Sequence, residues 1–182
     1  MDTDLVMRAQ GGDKGAFALL AGAIADRFLA VARRILRDRD LAEDATQQAL
    51  LAIWQDLPRL HDPARFEAWS YRILVHACYA EGRKQRRWAP NLRILSVAEH
   101  AWDSGLDAVV DRDQLERGFR RLSIDHRAVV VLYHYLDKPL DEIARILEIP
   151  VGTAHSRLHH AMRGLRAALD AEARPTAREA AR

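Results

Sequence analysis

Three groups of residues in this chain have types and spacings suited to recognition. The segment from Val151 to Ala168 carries Arg157, Arg163, Arg166 and three histidines, and no acid. It opens on Gly152, Thr153 and Ser156, where the free N–H groups of a helix start can meet a phosphate. Its outward positions His155, Ser156, His159 and His160 can reach base edges in a major groove. A second group runs from Phe66 through Trp69 to Cys78 and into Arg83, Lys84, Arg86 and Arg87. Aromatic rings beside positive charge suit unstacked, single-stranded nucleic acid. In the third group Asp44, Gln47 and Gln48 share one side of a helix, with Leu51 one turn on. A small polar patch beside apolar surface fits a protein partner.

Catalytic signatures are missing from the sequence. His155 and His159 sit four apart, a spacing that can hold a metal, but no third ligand and no His-Glu-x-x-His pattern accompany them. Gly11-Gly-Asp-Lys-Gly15 lacks the spacing of a nucleotide loop, and no Gly-x-Ser-x-Gly occurs. Cys78 is the single cysteine, so an internal disulfide is excluded and a buried, inert thiol is expected. These readings predict no enzyme, no metal and no cofactor.

The elements that must position these groups are helices. The chain has 182 residues, of which 49% are apolar, enough for a packed core. Lys and Arg number 28 against 26 Asp and Glu, a net charge of +2, so nucleic-acid affinity has to come from local patches. There is no run of 18 apolar residues, and the start, Met1 to Leu5, is acidic. A cytoplasmic protein without membrane insertion is expected. Glycine and proline are sparse. Apolar spacing predicts helices over about 13–36, 41–55, 63–87, 112–121, 124–136, 139–147 and 151–169. Val129, Val130 and Val131 have strand propensity, but they follow a helix start with Ser123 as N-cap and are assigned to a helix. In the 63–87 helix, Phe66, Trp69, Ile73, Ala77 and Ala80 are expected to face inward, with Trp69 in the core.

Charge divides the chain. Arg83, Lys84, Arg86, Arg87 and Arg93 come without an acid, and Glu99, Asp103, Asp107, Asp111 and Asp113 follow, relieved only by Arg112. The expected fold is all-α: a domain over 1–88, a flexible acidic linker over 89–111, a second domain over 112–170 and a frayed tail over 171–182. The second domain contains a helix-turn-helix. Ile143, Ala144 and Leu147 form one apolar face, Pro150 stops that helix, and Ala154, Leu158, Ala161 and Leu165 face inward from the next.

Four motifs occur in order: Gly12-Asp-Lys-Gly-Ala-Phe17, Ala42-Glu-Asp-Ala-Thr-Gln47, Trp69-Ser-Tyr-Arg-Ile73, and Glu142-Ile-Ala144 through Gly152-Thr-Ala-His-Ser-Arg-Leu158. Together with the mid-chain linker they resemble the extracytoplasmic-function sigma factors of bacterial RNA polymerase, over roughly 5–88 and 112–169. The resemblance implies that the first module, region 2, grips the clamp coiled coil of the polymerase beta-prime subunit through the helix of Asp44, Gln47, Gln48 and Leu51. It implies capture of the unwound minus-ten strand by Leu60, His61, Asp62, Arg65, Phe66, Arg72 and His76, with the basic cluster 83–87 beyond. It implies that region 4 reads the minus-thirty-five element through His155, Ser156, His159 and His160, with Arg157 and Arg163 nearer phosphate, and docks on the beta flap. An anti-sigma factor is expected by the same analogy. Gln48, His76, Ala80, Ala154 and His155 depart from the usual family residues, which points to an atypical promoter. Read from the residues alone, a self-sufficient helix-turn-helix repressor and a non-DNA interaction protein stay open.

Overall fold

The computed structural model describes residues 2–88 and 115–172. All regular elements among them are helical. The expected linker lies outside the described residues, as does the expected tail beyond residue 172, while residues 171–172 still belong to the last helix. The first bundle holds α1 (Thr3–Gln10), α2 (Lys14–Leu36), α3 (Arg39–Asp56) and α4 (Phe66–Trp88). The second holds the helical residues 115–121 (α5), α6 (Ile124–Val130), α7 (Leu140–Leu147) and α8 (Val151–Glu172).

Short polar side chains start these helices. Asp2, Asp13 and Asp38 accept from the backbone N–H groups of Asp4, Ala16 and Leu41, each at 3.0 Å. Ser123 accepts from His126 N–H at 3.3 Å and caps α6, as its position predicts. α1, a short helix that buries only Val6 and Ala9, lies outside the helices that apolar spacing predicts. Eight residues carry too few apolar positions for a period to stand out.

α2 is the central helix of the first bundle and buries Leu20, Ile24, Phe28, Val31 and Ile35. It is long and apolar enough by length and composition to cross a bilayer, a test that a core helix also passes. α3 packs on both α2 and α4, with Ala42, Ala45 and Ala49 fully buried, and these small residues permit close approach. α4 departs from its expected face. Phe66, Tyr71, Leu74, Val75 and Cys78 fill the core, while Trp69, Ile73, Ala77 and Ala80 are only partly buried. The departure has a physical origin: α4 packs against the first bundle on one side and the second on the other, so no single stripe describes it.

In the second bundle, Val129, Val130 and Val131 are buried within helix, so burial overrides strand propensity. After Val130 the helix widens into a π turn over Val131–Tyr135, and Leu136 N–H donates to Val131 O at 3.2 Å.

The two bundles meet in one continuous apolar core. α4 packs on α7 and α6, and α2 packs on α6 and the π turn. Ion pairs rim the contact. Arg72 Nη1 lies 3.0 Å from Glu148 Oε1, and His76 Nε2 lies 3.6 Å from Glu148 Oε2. Lys138 Nζ bridges Glu67 at 3.1 Å and Glu142 at 2.9 Å. Arg37 pairs with Glu116, and the Arg34 guanidinium stands 3.8 Å over the Tyr135 ring.

Candidate nucleic-acid interface

α7 and α8 form the expected helix-turn-helix. Ile143, Ala144, Ile146 and Leu147 are buried, and α7 closes on Glu148 in the left-handed region at φ 54°. Ile149 N–H donates back to Ala144 O at 3.0 Å, which secures the turn. Pro150 cannot extend α7, and its carbonyl accepts from Thr153 and Ala154 N–H to open α8. Ala154, Ala161, Leu165 and Ala168 are buried, with Leu158 partly so.

This register turns His155, Ser156, His159, His160, Arg163 and Arg166 to the exposed side. His155, His159, Met162, Arg163 and Arg166 line a shallow groove along it. Arg157 is partly buried instead, with Nη1 at 3.5 Å from Asp125 Oδ1 of α6. Among the described residues, no cluster of three His, Cys, Asp or Glu converges to hold a metal.

The second group is more dispersed. His61, Asp62 and Arg65 are exposed in the loop before α4, where Asp62 caps the turn at Ala64 N–H and pairs with Arg65. Leu60 is partly buried, and its carbonyl accepts from Gln10 at 2.7 Å. Phe66 is 1% exposed and packs its ring 5.9 Å from that of Trp69. In this conformation a base cannot stack on Phe66, and Trp69 is the aromatic with surface to offer. Arg72 and His76 project from the same stretch of α4 and both meet Glu148. Arg83, Lys84, Arg86 and Arg87 are exposed at its end, and Lys84 holds the buried Glu81 at 2.6 Å.

Asp44, Gln47, Gln48 and Leu51 are all exposed on one side of α3, Leu51 at 56%. A groove between α2 and α3 adjoins them, lined by Asp26, Leu29, Glu43 and Leu50 as well as Asp44 and Gln47. Asp26 and Leu29 went unread in the sequence because they lie one helix away. Glu148, Glu67 and Lys138 were missed for the same reason: their pairings span the two bundles.

Cys78 is fully buried, and burial pushes its thiol up from 9.0 to about 12. Its thiolate fraction near pH 8 is then about a thousandfold lower than that of an ordinary cysteine. A disulfide-exchange reagent is therefore expected to leave the native chain almost unmodified at pH 8 and to react promptly once it is unfolded. Equal rates in both states would contradict this burial. The linkage has a definite sign. The unfolded chain loses the thiol proton first, so this group lowers stability as pH rises from 9.0 toward about 12.

Comparison with known proteins joins these surfaces to a family. Residues 20–88 match the Sigma-70 region 2 family, and residues 112–165 match Sigma-70, region 4. The ECF RNA polymerase sigma factor SigL of Mycobacterium tuberculosis is 32% identical over 170 residues, 90% of this chain and 96% of the relative. The RNA polymerase sigma-H factor of Pseudomonas aeruginosa is 29% identical over 98% of this chain and 97% of its own. The structure of CnrH in complex with the cytosolic domain of CnrY aligns with a TM-score of 0.67 at 25% identity, covering 93% of this chain and 97% of that one. The sigma factor RpoE in complex with the anti-sigma factor NepR from Bartonella quintana aligns with a TM-score of 0.68 at 26% identity, covering 85% and 96%.

Proposed function

The chain belongs to the extracytoplasmic-function sigma factors of bacterial RNA polymerase, and from that premise we propose how its surfaces divide the work. It is a transcription initiation factor that binds core polymerase and directs it to promoters. Residues 1–88 act as region 2, 89–111 as the tether and 112–170 as region 4, with 171–182 a tail. The chain works in the cytoplasm and performs no catalysis of its own. Phosphodiester chemistry stays with the polymerase, and the sigma subunit supplies position and sequence choice.

The exposed side of α3, with Asp44, Gln47, Gln48 and Leu51, meets the beta-prime clamp coiled coil, and the neighbouring α2–α3 groove extends that contact. Region 4 docks on the beta flap. Trp69, Arg72 and His76, with the loop residues His61, Asp62 and Arg65, take the unwound minus-ten strand, and Arg83, Lys84, Arg86 and Arg87 follow its backbone. His155, Ser156, His159 and His160 read the minus-thirty-five duplex, flanked by Arg163 at phosphate. Phosphate contacts supply salt-dependent affinity, and base-edge contacts supply specificity. An anti-sigma factor is a fitting regulator, by analogy with the NepR-bound relative.

The observation that carries this division is the pairing, in one chain, of an acid-free outward helix face over 151–168 of α8 with an exposed polar and apolar patch on α3. A stand-alone DNA-binding protein needs only the first. The test is a direct binding assay with core polymerase. Truncating or reversing a central interface anchor costs about 2 kcal/mol or more, roughly 30-fold. Asp44→Lys combined with Leu51→Asp is expected to weaken core binding by at least about tenfold while helical content stays the same. Unchanged binding would remove α3 from the polymerase contact.

A further inference from the structure

We propose that the junction of α2, α4, α5 and α6 is a binding site for a small diphosphate anion, held by the guanidinium groups of Arg37, Arg86, Arg120 and Arg127. The site goes beyond the promoter reading and does not depend on it.

Packing brings the four arginines together. Gly82 of α4 stands where three helices converge: a Cβ there would lie 2.9 Å from Ile124 Cδ1 of α6 and 3.7 Å from Leu36 Cδ2 of α2. Each of these three residues has an arginine beside it. Arg86 lies one turn beyond Gly82 and Arg127 one turn beyond Ile124, so each shares a face with the residue at the junction. Arg37 follows Leu36 directly and closes α2 in the left-handed region at φ 62°. A glycine would hold that turn with less strain, and an arginine stands there instead. Arg37 reaches Glu116 of α5, and Arg120, one turn on, lies 3.7 Å from the same carboxylate.

The charges at this junction do not balance. Among the described residues, Glu116 is the one carboxylate that pairs with any of the four. Asp38 is engaged elsewhere: it caps α3 at Leu41 N–H and accepts from Gln85 at 3.3 Å. The Nε atoms of Arg37 and Arg127 are shielded from solvent and have no hydrogen-bond partner. A shielded donor without an acceptor is costly, and more so on a charged group. Burial, with the charges of Arg37 and Arg86, holds the Arg127 guanidinium down at about 10. Burial and the charges of Arg120 and Arg34 lower Arg37 in the same way. An anion at the junction offsets the crowding of like charges and supplies the missing acceptors. Both side chains are partly exposed, so a modest rotation of each guanidinium brings its open donor to a ligand. The chemistry also selects the anion. A guanidinium is a planar fork that takes phosphate oxygens two at a time. Arg37 and Arg127 form a half-buried floor, while Arg86 and Arg120 stand exposed at its rim. One phosphoryl group on the floor and a second at the rim use all four. A nucleic-acid backbone is met by cations spread along its length. Two of these cations are sheltered at a helix junction, which favours a compact ligand. A free diphosphate and the diphosphate of a nucleotide share this chemistry.

The test is isothermal titration calorimetry on the full chain, without DNA or polymerase and at constant ionic strength. The probes are sodium pyrophosphate, orthophosphate and ADP. Pyrophosphate is expected to bind once per chain and at least about tenfold more tightly than orthophosphate. Arg127→Met and Arg86→Gln are each expected to weaken it by at least about tenfold, since each removes a charge-assisted contact. Arg86 is exposed, so a loss there does not come from misfolding. Arg127→Met keeps the apolar stem and relieves the crowding, so the ligand-free chain is expected to be no less stable than the unsubstituted one. Arg59→Gln removes the same charge from an exposed arginine elsewhere and is expected to leave binding within about twofold. ADP bound more tightly than pyrophosphate assigns the site to a nucleotide, and ADP bound no more tightly assigns it to a free diphosphate. No binding of pyrophosphate up to about 10 mM, an equal loss in Arg59→Gln, or a ligand-free Arg127→Met chain of lower stability would overturn the site. Displacement of pyrophosphate by a randomised single-stranded oligonucleotide whose own binding needs Arg127 would overturn the small-anion assignment and give the junction to nucleic acid.

Discussion

A chain carrying Ser156→Glu and His159→Glu is expected to lose promoter-directed transcription by at least about 100-fold while its affinity for core polymerase changes by less than about twofold. Both side chains lie on the exposed side of α8. Ser156 Oγ donates only to the Thr153 carbonyl at 3.0 Å, and His159 touches the ring of His160 at a centroid distance of 5.8 Å. Neither holds the fold, so the substitutions leave the bundle intact. In a major groove each position stands near base edges and phosphates. A lost base contact costs about 1–3 kcal/mol, and a carboxylate there adds repulsion from the backbone. Two such positions make about 3 kcal/mol or more, hence the hundredfold. The measurement pairs a transcription assay with a core-binding assay on the same preparation. Loss of both activities would point to unfolding, and retention of transcription would show that this face does not read the promoter.

The second large effect is on stability. Phe28 is 1% exposed at the centre of α2, and its ring centroid lies 5.4 Å from that of Tyr71 on α4. Phe28→Ala removes a fully buried ring at the crossing of α2 and α4 and leaves a cavity that fully buried neighbours such as Val31 and Leu74 cannot fill by small shifts. Substitutions of this kind cost about 3–5 kcal/mol, against a typical total of about 5–15. The midpoint of thermal unfolding is therefore expected to fall by roughly 6–20 °C, at about 2–4 °C per kcal/mol for a chain of this size. Circular dichroism on heating reads it directly. A shift of less than about 3 °C would mean that the two helices do not cross at Phe28.

Much of the fold was legible because its signals are local. The Ser123 cap, the stop at Pro150 and the period of Leu20, Ile24, Phe28, Val31 and Ile35 each depend on residues within a few positions of one another. The outward set on α8 was legible for the same reason, since one register fixes which side faces solvent. What the sequence could not show depends on partners far away in the chain. Phe66 is buried as its face predicts, but Trp69, expected in the core, is only partly buried because α4 is packed on two sides. Arg157 reads as a free basic residue on α8 until Asp125 of α6 appears beside it. Glu148 reads as an unremarkable turn residue, and its pairing with Arg72, 76 positions away, is visible only once the bundles are placed together. Val129 to Val131 show the opposite case, in which a helix start at Ser123 outweighed a strand-forming run and the structure agrees.

The central claim is that this chain gives a polymerase its promoters. The most direct measurement is transcription by purified core polymerase on a library of promoter fragments, with and without the protein. Transcripts that appear only with the protein, and whose templates share two upstream motifs, are the expected result. An absence of dependent transcripts together with tight, sequence-specific binding to duplex DNA by the protein alone would contradict it and identify a self-sufficient repressor instead.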